Sequence, residues 1–433
     1  MVSSSPRRRF YGWYVVAVAA PIYLCANGLV LFVPQNLFPR YMETFDATAG
    51  QVSLSTAITL GVVALMAPFS GALIDRLGVM RVLRVGLLIM AATVSIYPFA
   101  QSLHQMYALH AVMALGMVMT GLPACVVLLC NWFVTRRGAV VGLLVAGASL
   151  GGAILPLAIS PLVNNPALGW RWGYGSLSAA YWLLAVLPAY LFLKESPASV
   201  GQFPDGLDKP PAAAGERELR VGVPFREALR SRTLWCLALG SACLWFAFQA
   251  VNSQITIFAE LEAGVSASHA TKLYAMIFAF SVVGKFTFGT LSDYLVKRHV
   301  MLITSAILLA ACLLLFEFAD GISLTYSYRR LLVFAMVFGL GYGGCYTMVQ
   351  LVCVESFGQL ALGKILGVVI TADALAAAVG TALPGYLRTL TGSYLLSFSI
   401  VTGVAVVAII NVLFIRPLPF RVEAPVDGQA GSF

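Results

Sequence analysis

Charge is scarce in this chain. Of its 433 residues only 10% are Asp, Glu, Lys or Arg, against roughly 25% in an average soluble domain. The 27 basic and 18 acidic side chains cluster in short stretches, too few to cover the polar surface that a soluble protein of this length needs. Cysteine at ligand spacing is also missing. The eight cysteines (Cys25, Cys125, Cys130, Cys236, Cys243, Cys312, Cys345 and Cys353) form no CxxC pair, have no His pattern nearby and all lie in apolar stretches. They read as small buried hydrophobes, and no metal or cofactor is expected. No nucleophile and base stand at catalytic spacing, which argues against a membrane enzyme. The net charge of +9 does not indicate nucleic acid, because the basic residues sit in short loops between apolar runs, where they record membrane orientation.

What the chain has in abundance is long apolar runs, 60% of it being hydrophobic. Runs of about 20 residues cross roughly 30 Å of hydrocarbon. Twelve are predicted: Tyr11 to Val33, Val52 to Ile74, Val82 to Phe99, Met106 to Trp132, Gly138 to Val163 and Gly173 to Leu193 in the first half. In the second half they are Leu234 to Phe258, Ala270 to Leu291, Met301 to Phe318, Leu331 to Val354, Ile365 to Leu387 and Leu395 to Ile415. Pro6-Arg7-Arg8-Arg9 before an apolar stretch resembles a signal peptide, but the run continues far past Ala17-Val18-Ala19, which makes it an uncleaved first span. The fold class is therefore all-α and integral to the membrane, with six-helix halves at 1–193 and 233–433. The one long polar stretch, 194–232, with Pro204-Asp205-Gly206 and Pro210-Pro211, is the linker between them.

If both termini and this linker share one side, that side holds 20 of the 27 Lys and Arg, the other holds six, and Lys285 lies inside a span. The termini are thus expected in the cytoplasm of a multi-pass plasma (inner) membrane protein. The halves also repeat. Gly71, Asp75, Arg76, Gly78 and Arg81 end the second span of the first half, and Gly289 and Asp293 followed by Lys297-Arg298 end the second span of the other. In that loop Gly71 permits close helix contact, Asp75 caps or pairs with a neighbouring helix end, Gly78 allows the reversal, and the arginines anchor the loop.

This string resembles the signature loop of the major facilitator superfamily. A narrower set resembles the monocarboxylate transporter and oxalate:formate antiporter branch: Asn131-Trp132-Phe133, Arg136-Arg137-Gly138, Gly142, Ala146-Gly147, Gly151, Pro156, Gly169-Trp170-Arg171, Glu195-Ser196-Pro197, Pro204-Asp205-Gly206 and Thr391-Gly392-Ser393-Tyr394. The resemblance implies the major facilitator fold, a small-molecule carboxylate substrate, protons as coupling ion, a lipid bilayer as the only other partner and action as a monomer. Two soluble-enzyme patterns fail their context. Gly339 to Gly344 fits GxGxxG and Gly358 to Lys364 fits GxxxxGK, yet neither follows a strand, and Ile365 stands where a magnesium-binding Ser or Thr belongs. The glycines at 339–344 suit close helix packing.

Ionisable groups inside spans carry the functional argument, because each costs several kcal/mol unless it meets a cavity or a partner. Lys285 is eight residues from Asp293, and Asp373 nine from Lys364, placing both about 12–13 Å from the cytoplasmic ends of their helices. The resemblance puts Lys285 at the cavity arginine of the branch and implies that it binds the substrate anion; Asp373 is expected to pair with it in the empty carrier and to couple transport to protons. A buried structural pair is the competing reading. Departures from the branch narrow the substrate. Ser281 replaces an acid, no lysine lies between Arg9 and Arg40, and the eleventh span carries an acid where oxalate exchangers have a lysine, so one positive centre suits a monocarboxylate. Tyr342 and Tyr346, four apart, line the cavity or face lipid; Asn27, Gln249, Asn252 and Gln350 complete a polar lining or join helices. His110 is expected to be a helix contact. Proton symport leads, with carboxylate exchange and a transporter-like sensor without net transport as alternatives. Reporter fusions are expected to place both termini and 194–232 in the cytoplasm; an external linker would overturn the topology and the depths assigned to Lys285 and Asp373.

Overall fold

The computed structural model describes residues 10–207, 221–318, 321–358, 360–416, 418 and 421–422. Readings placed on Arg7 to Arg9, Lys209 to Pro211, Arg217 and Arg220 lie outside the described residues. Without water, every backbone N–H and C=O must be satisfied within its own segment, and apolar runs answer this by coiling into helices. The observed helices are α1 (Gly12–Phe45), α2 (Ala49–Leu77), α3 (Val79–Phe99), α4 (Leu103–Trp132), α5 (Arg137–Val163), α6 (Gly169–Phe192), α7 (Arg232–Glu262), α8 (Ala267–Tyr294), α9 (Lys297–Leu313), α10 (Tyr328–Phe357), α11 (Leu362–Thr391) and α12 (Leu395–Leu413). Eleven are long and apolar enough to span a membrane, and the 17-residue α9 stands at the short end of spanning length.

Three boundaries differ from expectation. α1 runs past Val33 to Phe45 although Pro34 and Pro39 lie in it. Pro39 has no N–H to offer the carbonyl of Gln35 one turn earlier, and the hydroxyl of Thr256 on α7 donates to that carbonyl at 3.1 Å instead. Earlier in α1 a π-turn at Gly28–Phe32 leaves the Leu29 carbonyl to accept from the Tyr174 hydroxyl of α6 at 2.5 Å. α4 is broken at Gly121, whose backbone is extended before Pro123. α9 ends at Leu313, not Phe318, because Phe316–Glu317 pairs instead with Ser323–Leu324 in a short antiparallel ladder.

The chain forms two compact units. One is Met1–Pro34 with Met66–Ala213; the other is Gln35–Leu65 with Ala214–Phe433. In the first unit three of the branch-like motifs, around Trp132, Glu195 and Asp205, assemble into a clasp. Asn131 Nδ2 and Trp132 Nε1 donate to the carbonyls of Glu195 and Lys194, and the amides of Val134 and Thr135 donate to Asp205 Oδ2 at 3.0 and 2.8 Å. Phe10 packs on Trp132 and Phe133, while the Tyr11 hydroxyl donates to Phe192 O. In the second unit Val221, within the polar stretch 194–232, pairs with the tail opposite Val422.

Partial burial alone would raise the Asp205 carboxyl, but hydrogen bonds from Thr135 and Val134 outweigh it and hold the group below the usual carboxylate range. A depressed acid stabilises the fold at all pH values above its unfolded value of about 3.9 and ceases to do so as pH falls through the lower folded value. The clasp is therefore expected to be indifferent to pH between neutrality and about 5 and to loosen below. Asp205→Ala should speed hydrogen exchange of the Val134 and Thr135 amides roughly tenfold at neutral pH, a modest figure because the site is partly exposed. Unchanged exchange would make Asp205 a bystander.

Candidate functional site

In the second unit, glycines decide how closely α8 and α10 approach. A Cβ at Gly339 or Gly343 of α10 would collide with the carbonyls of Ile277 and Ser281 on α8, and one at Gly284 of α8 with the Leu340 carbonyl. On the other side of α10, Gly341 lies against Leu308 and Gly344 against Thr304 of α9. The GxGxxG-like run is thus a packing surface on two sides, as its place inside an apolar span implied.

This close approach sets Lys285, next to Gly284, against α10. Its side chain is only 9% exposed, and Nζ lies 4.4 Å above the centroid of the Tyr346 ring, a cation–π geometry. Tyr346 meets Tyr342 with centroids 6.4 Å apart, and Trp245 of α7 stands edge-on to both, at 5.8 Å from Tyr346 and 6.1 Å from Tyr342. Phe248 stacks on Tyr342 at 3.5 Å, nearly parallel. Trp245, Tyr342 and Tyr346, together with Leu244, Leu308, Cys345 and Val349, line a cleft.

Asp373 on α11 is 7% exposed and lies beside the Ser241 hydroxyl of α7, with its Oδ1 unpartnered. The expected pairing of Lys285 with Asp373 is not seen. Among the described residues the ion pairs are Arg40 with Glu43 and Glu260, Arg330 with Glu317, and Arg388 with Glu262. Equal depth along two spans does not bring two groups together when each faces a different neighbour: Lys285 is turned onto α10, and Asp373 onto α7, against which α11 packs with Gly380 at the Phe246 carbonyl.

The other expected residues divide. Tyr342 and Tyr346 line the cleft. Asn252 donates to Gln35 Oε1 at 2.7 Å and to the Tyr274 hydroxyl at 3.2 Å, joining α7 to α1 and α8. Gln249 is buried with both amide atoms unpartnered, and Gln350 is exposed. Asn27, in the first unit, donates back to Tyr23 O; His110 there meets the Tyr97 hydroxyl at 2.9 Å, the expected helix contact. In the signature loop Gly78 adopts φ +80°, the reversal foreseen for it. Gly71 has open space where its Cβ would stand, and Asp75, Arg76 and Asp293 are exposed. The close contact foreseen at Gly71 is not made among the described residues. Three residues escaped the sequence reading: Trp245, Phe248 and Ser241. Trp245, one helical turn before Gln249, carried a signal in its mid-span position.

Against known proteins, the model of the Major Facilitator Superfamily matches residues 9–316 and 262–431. The chain belongs to this family. It is accordingly a membrane transporter by class and not an enzyme, and the sequence resemblance is borne out at that level. Relatives include rat monocarboxylate transporter 12, 23% identical over 92% of this chain and 83% of that one. The cis,cis-muconate transport protein of Acinetobacter baylyi is 24% identical over 96% and 98%, and the hexuronate transporter of Bacillus subtilis 26% over 66% and 68%. Among solved structures, a bacterial homolog of the human lysosomal transporter Spinster, described as inward-facing and unoccupied, shares the fold with a TM-score of 0.71 at 17% identity, covering 94% of this chain and 95% of that chain.

The seam predicts a contrast between two glycines. Gly343→Val should lower thermal stability by about 1–3 kcal/mol, because its side chain meets backbone and not a yielding side-chain tip, whereas Gly71→Ala should leave the unfolding temperature unchanged. Equal effects in a thermal-unfolding assay would remove the seam as the element that fixes Lys285.

Proposed function

We propose that this protein is a secondary active carrier of a small organic anion, a monocarboxylate, which it moves with a proton by alternating access. Two six-helix halves, 1–193 and 233–433, joined by the cytoplasmic linker 194–232, would rock about a central site, in a plasma (inner) membrane with both termini inside and as a monomer. The observation that carries the reading is Lys285, a lysine enclosed within a span and held over the face of Tyr346 at the edge of a cleft. Such a cation in hydrocarbon is retained where it meets a charge of opposite sign. The names of the relatives agree in kind, since a monocarboxylate, muconate and a hexuronate are all carboxylates.

In this mechanism the substrate carboxylate takes the place of the Tyr346 ring at Nζ. Asp373, buried with an oxygen unpartnered, accepts the coupling proton. Charge balance does not require the two to touch: the empty carrier holds one cation and one anion, and the loaded one holds a lysine, a bound carboxylate and a neutral acid. Their separation favours, as a second reading, an anion exchanger in which Asp373 takes no part.

In proteoliposomes, Lys285→Ala should abolish carboxylate uptake and the ligand-induced rise in unfolding temperature, while Lys285→Arg keeps part of both. Full transport by the alanine variant makes the lysine structural. Asp373→Asn should still exchange substrate for substrate but fail to accumulate it against a gradient; pH-driven accumulation that survives leaves the exchanger or another proton site.

A further inference from the structure

We propose that the cleft beside Lys285 selects acids with a flat aromatic body, so that the substrate is a single-ring aromatic monocarboxylate lying on Trp245 and Tyr346 with its carboxylate on Lys285 Nζ. The proposal rests on the anion site just described and adds the class of body that the anion carries.

The lining decides it. Around the cleft stand three aromatic rings, two leucines, a valine and a cysteine, and the polar atoms they offer are two tyrosine hydroxyls, the indole N–H and a thiol. No carboxamide or carboxylate lines it. A hydroxyl-rich acid would exchange its water for apolar wall and leave its hydroxyls unpaired. A ring loses nothing there.

The rings are also arranged to receive another ring. Tyr342 is backed by Phe248 and buried, so it forms a wall. Trp245 and Tyr346 are only partly buried and are the surfaces left to a ligand. The planes of Trp245 and Tyr342, Trp245 and Tyr346, and Tyr342 and Tyr346 meet at 81°, 68° and 67°. In such a corner a fourth ring stacks on one face while presenting its edge to another, the two arrangements that the aromatic quadrupole favours. The charge is in place beside it. Lys285 Nζ already sits over the Tyr346 ring, so a carboxylate bound to it has its substituent next to the aromatic corner, and a charge-assisted hydrogen bond replaces the weaker cation–π contact.

The test is a competition experiment on the full chain in proteoliposomes, with benzoate, cyclohexanecarboxylate, propionate and lactate as probes. Benzoate is expected to bind or compete about fivefold to tenfold better than cyclohexanecarboxylate, and better still than propionate or lactate. Trp245→Leu should collapse the benzoate-to-propionate ratio, and Trp245→Phe should retain most of it; the phenylalanine variant also serves if the leucine variant does not fold. Cyclohexanecarboxylate equal to benzoate, lactate or propionate preferred, or a ratio untouched by Trp245→Leu would overturn the aromatic assignment. In those cases Lys285-dependent binding of the aliphatic acids leaves the anion carrier standing. Absence of Lys285-dependent binding for all four acids would instead sink the carrier reading itself, and the aromatic assignment with it.

Discussion

In a hydrocarbon interior a backbone carbonyl that loses its helical donor has no water to turn to. At two places where α1 opens, a side chain from a neighbouring helix closes the gap. Pro39 frees the Gln35 carbonyl and Thr256 takes it; the π-turn in α1 leaves the Leu29 carbonyl to Tyr174. Past the end of α6, the Phe192, Lys194 and Glu195 carbonyls are taken by Tyr11, Trp132 and Asn131. Each repair ties two helices together at a fixed register, so the need to satisfy the backbone also produces tertiary specificity. The hydrophobic effect cannot supply it, since lipid is as apolar as the side chains it replaces.

The same absence of a hydrophobic drive explains the glycine seam. Helices in lipid gain by close contact, and α8 approaches α10 until a single Cβ would collide with a facing carbonyl at three positions. Lys285 and Tyr346 are brought together by that backbone contact. The geometry of the candidate site is therefore set by glycines outside the cleft.

Most of the fold was legible in the sequence because the bilayer imposes a coarse rule, long apolar runs between polar breaks, and twelve such runs became twelve helices. The end of α1 was not legible, because the partner that satisfies the Gln35 carbonyl lies more than 200 positions away at Thr256. At the candidate site, depth was readable from residue counts while facing was not. Lys285 and Asp373 match in depth and still meet different helices, a difference of rotation about two axes that residue counts do not encode. Asn252, chosen as polar lining, spends its amide on Gln35 and Tyr274. Trp245 looked like any mid-span aromatic until α7 and α10 were set side by side.

That rotation changes what the site can do. Had Lys285 been paired with Asp373, an arriving carboxylate would have had to displace a buried ionic partner, and separating such a pair costs about 3–5 kcal/mol. The lysine lies instead over the Tyr346 ring, a contact of about 0.5–2 kcal/mol. Under the proposed function an arriving carboxylate would exchange that contact and would not have to displace an ionic partner. A cation oriented in this way by an aromatic face would stay open to a substrate of opposite charge, which a lysine locked to a neighbouring acid would not.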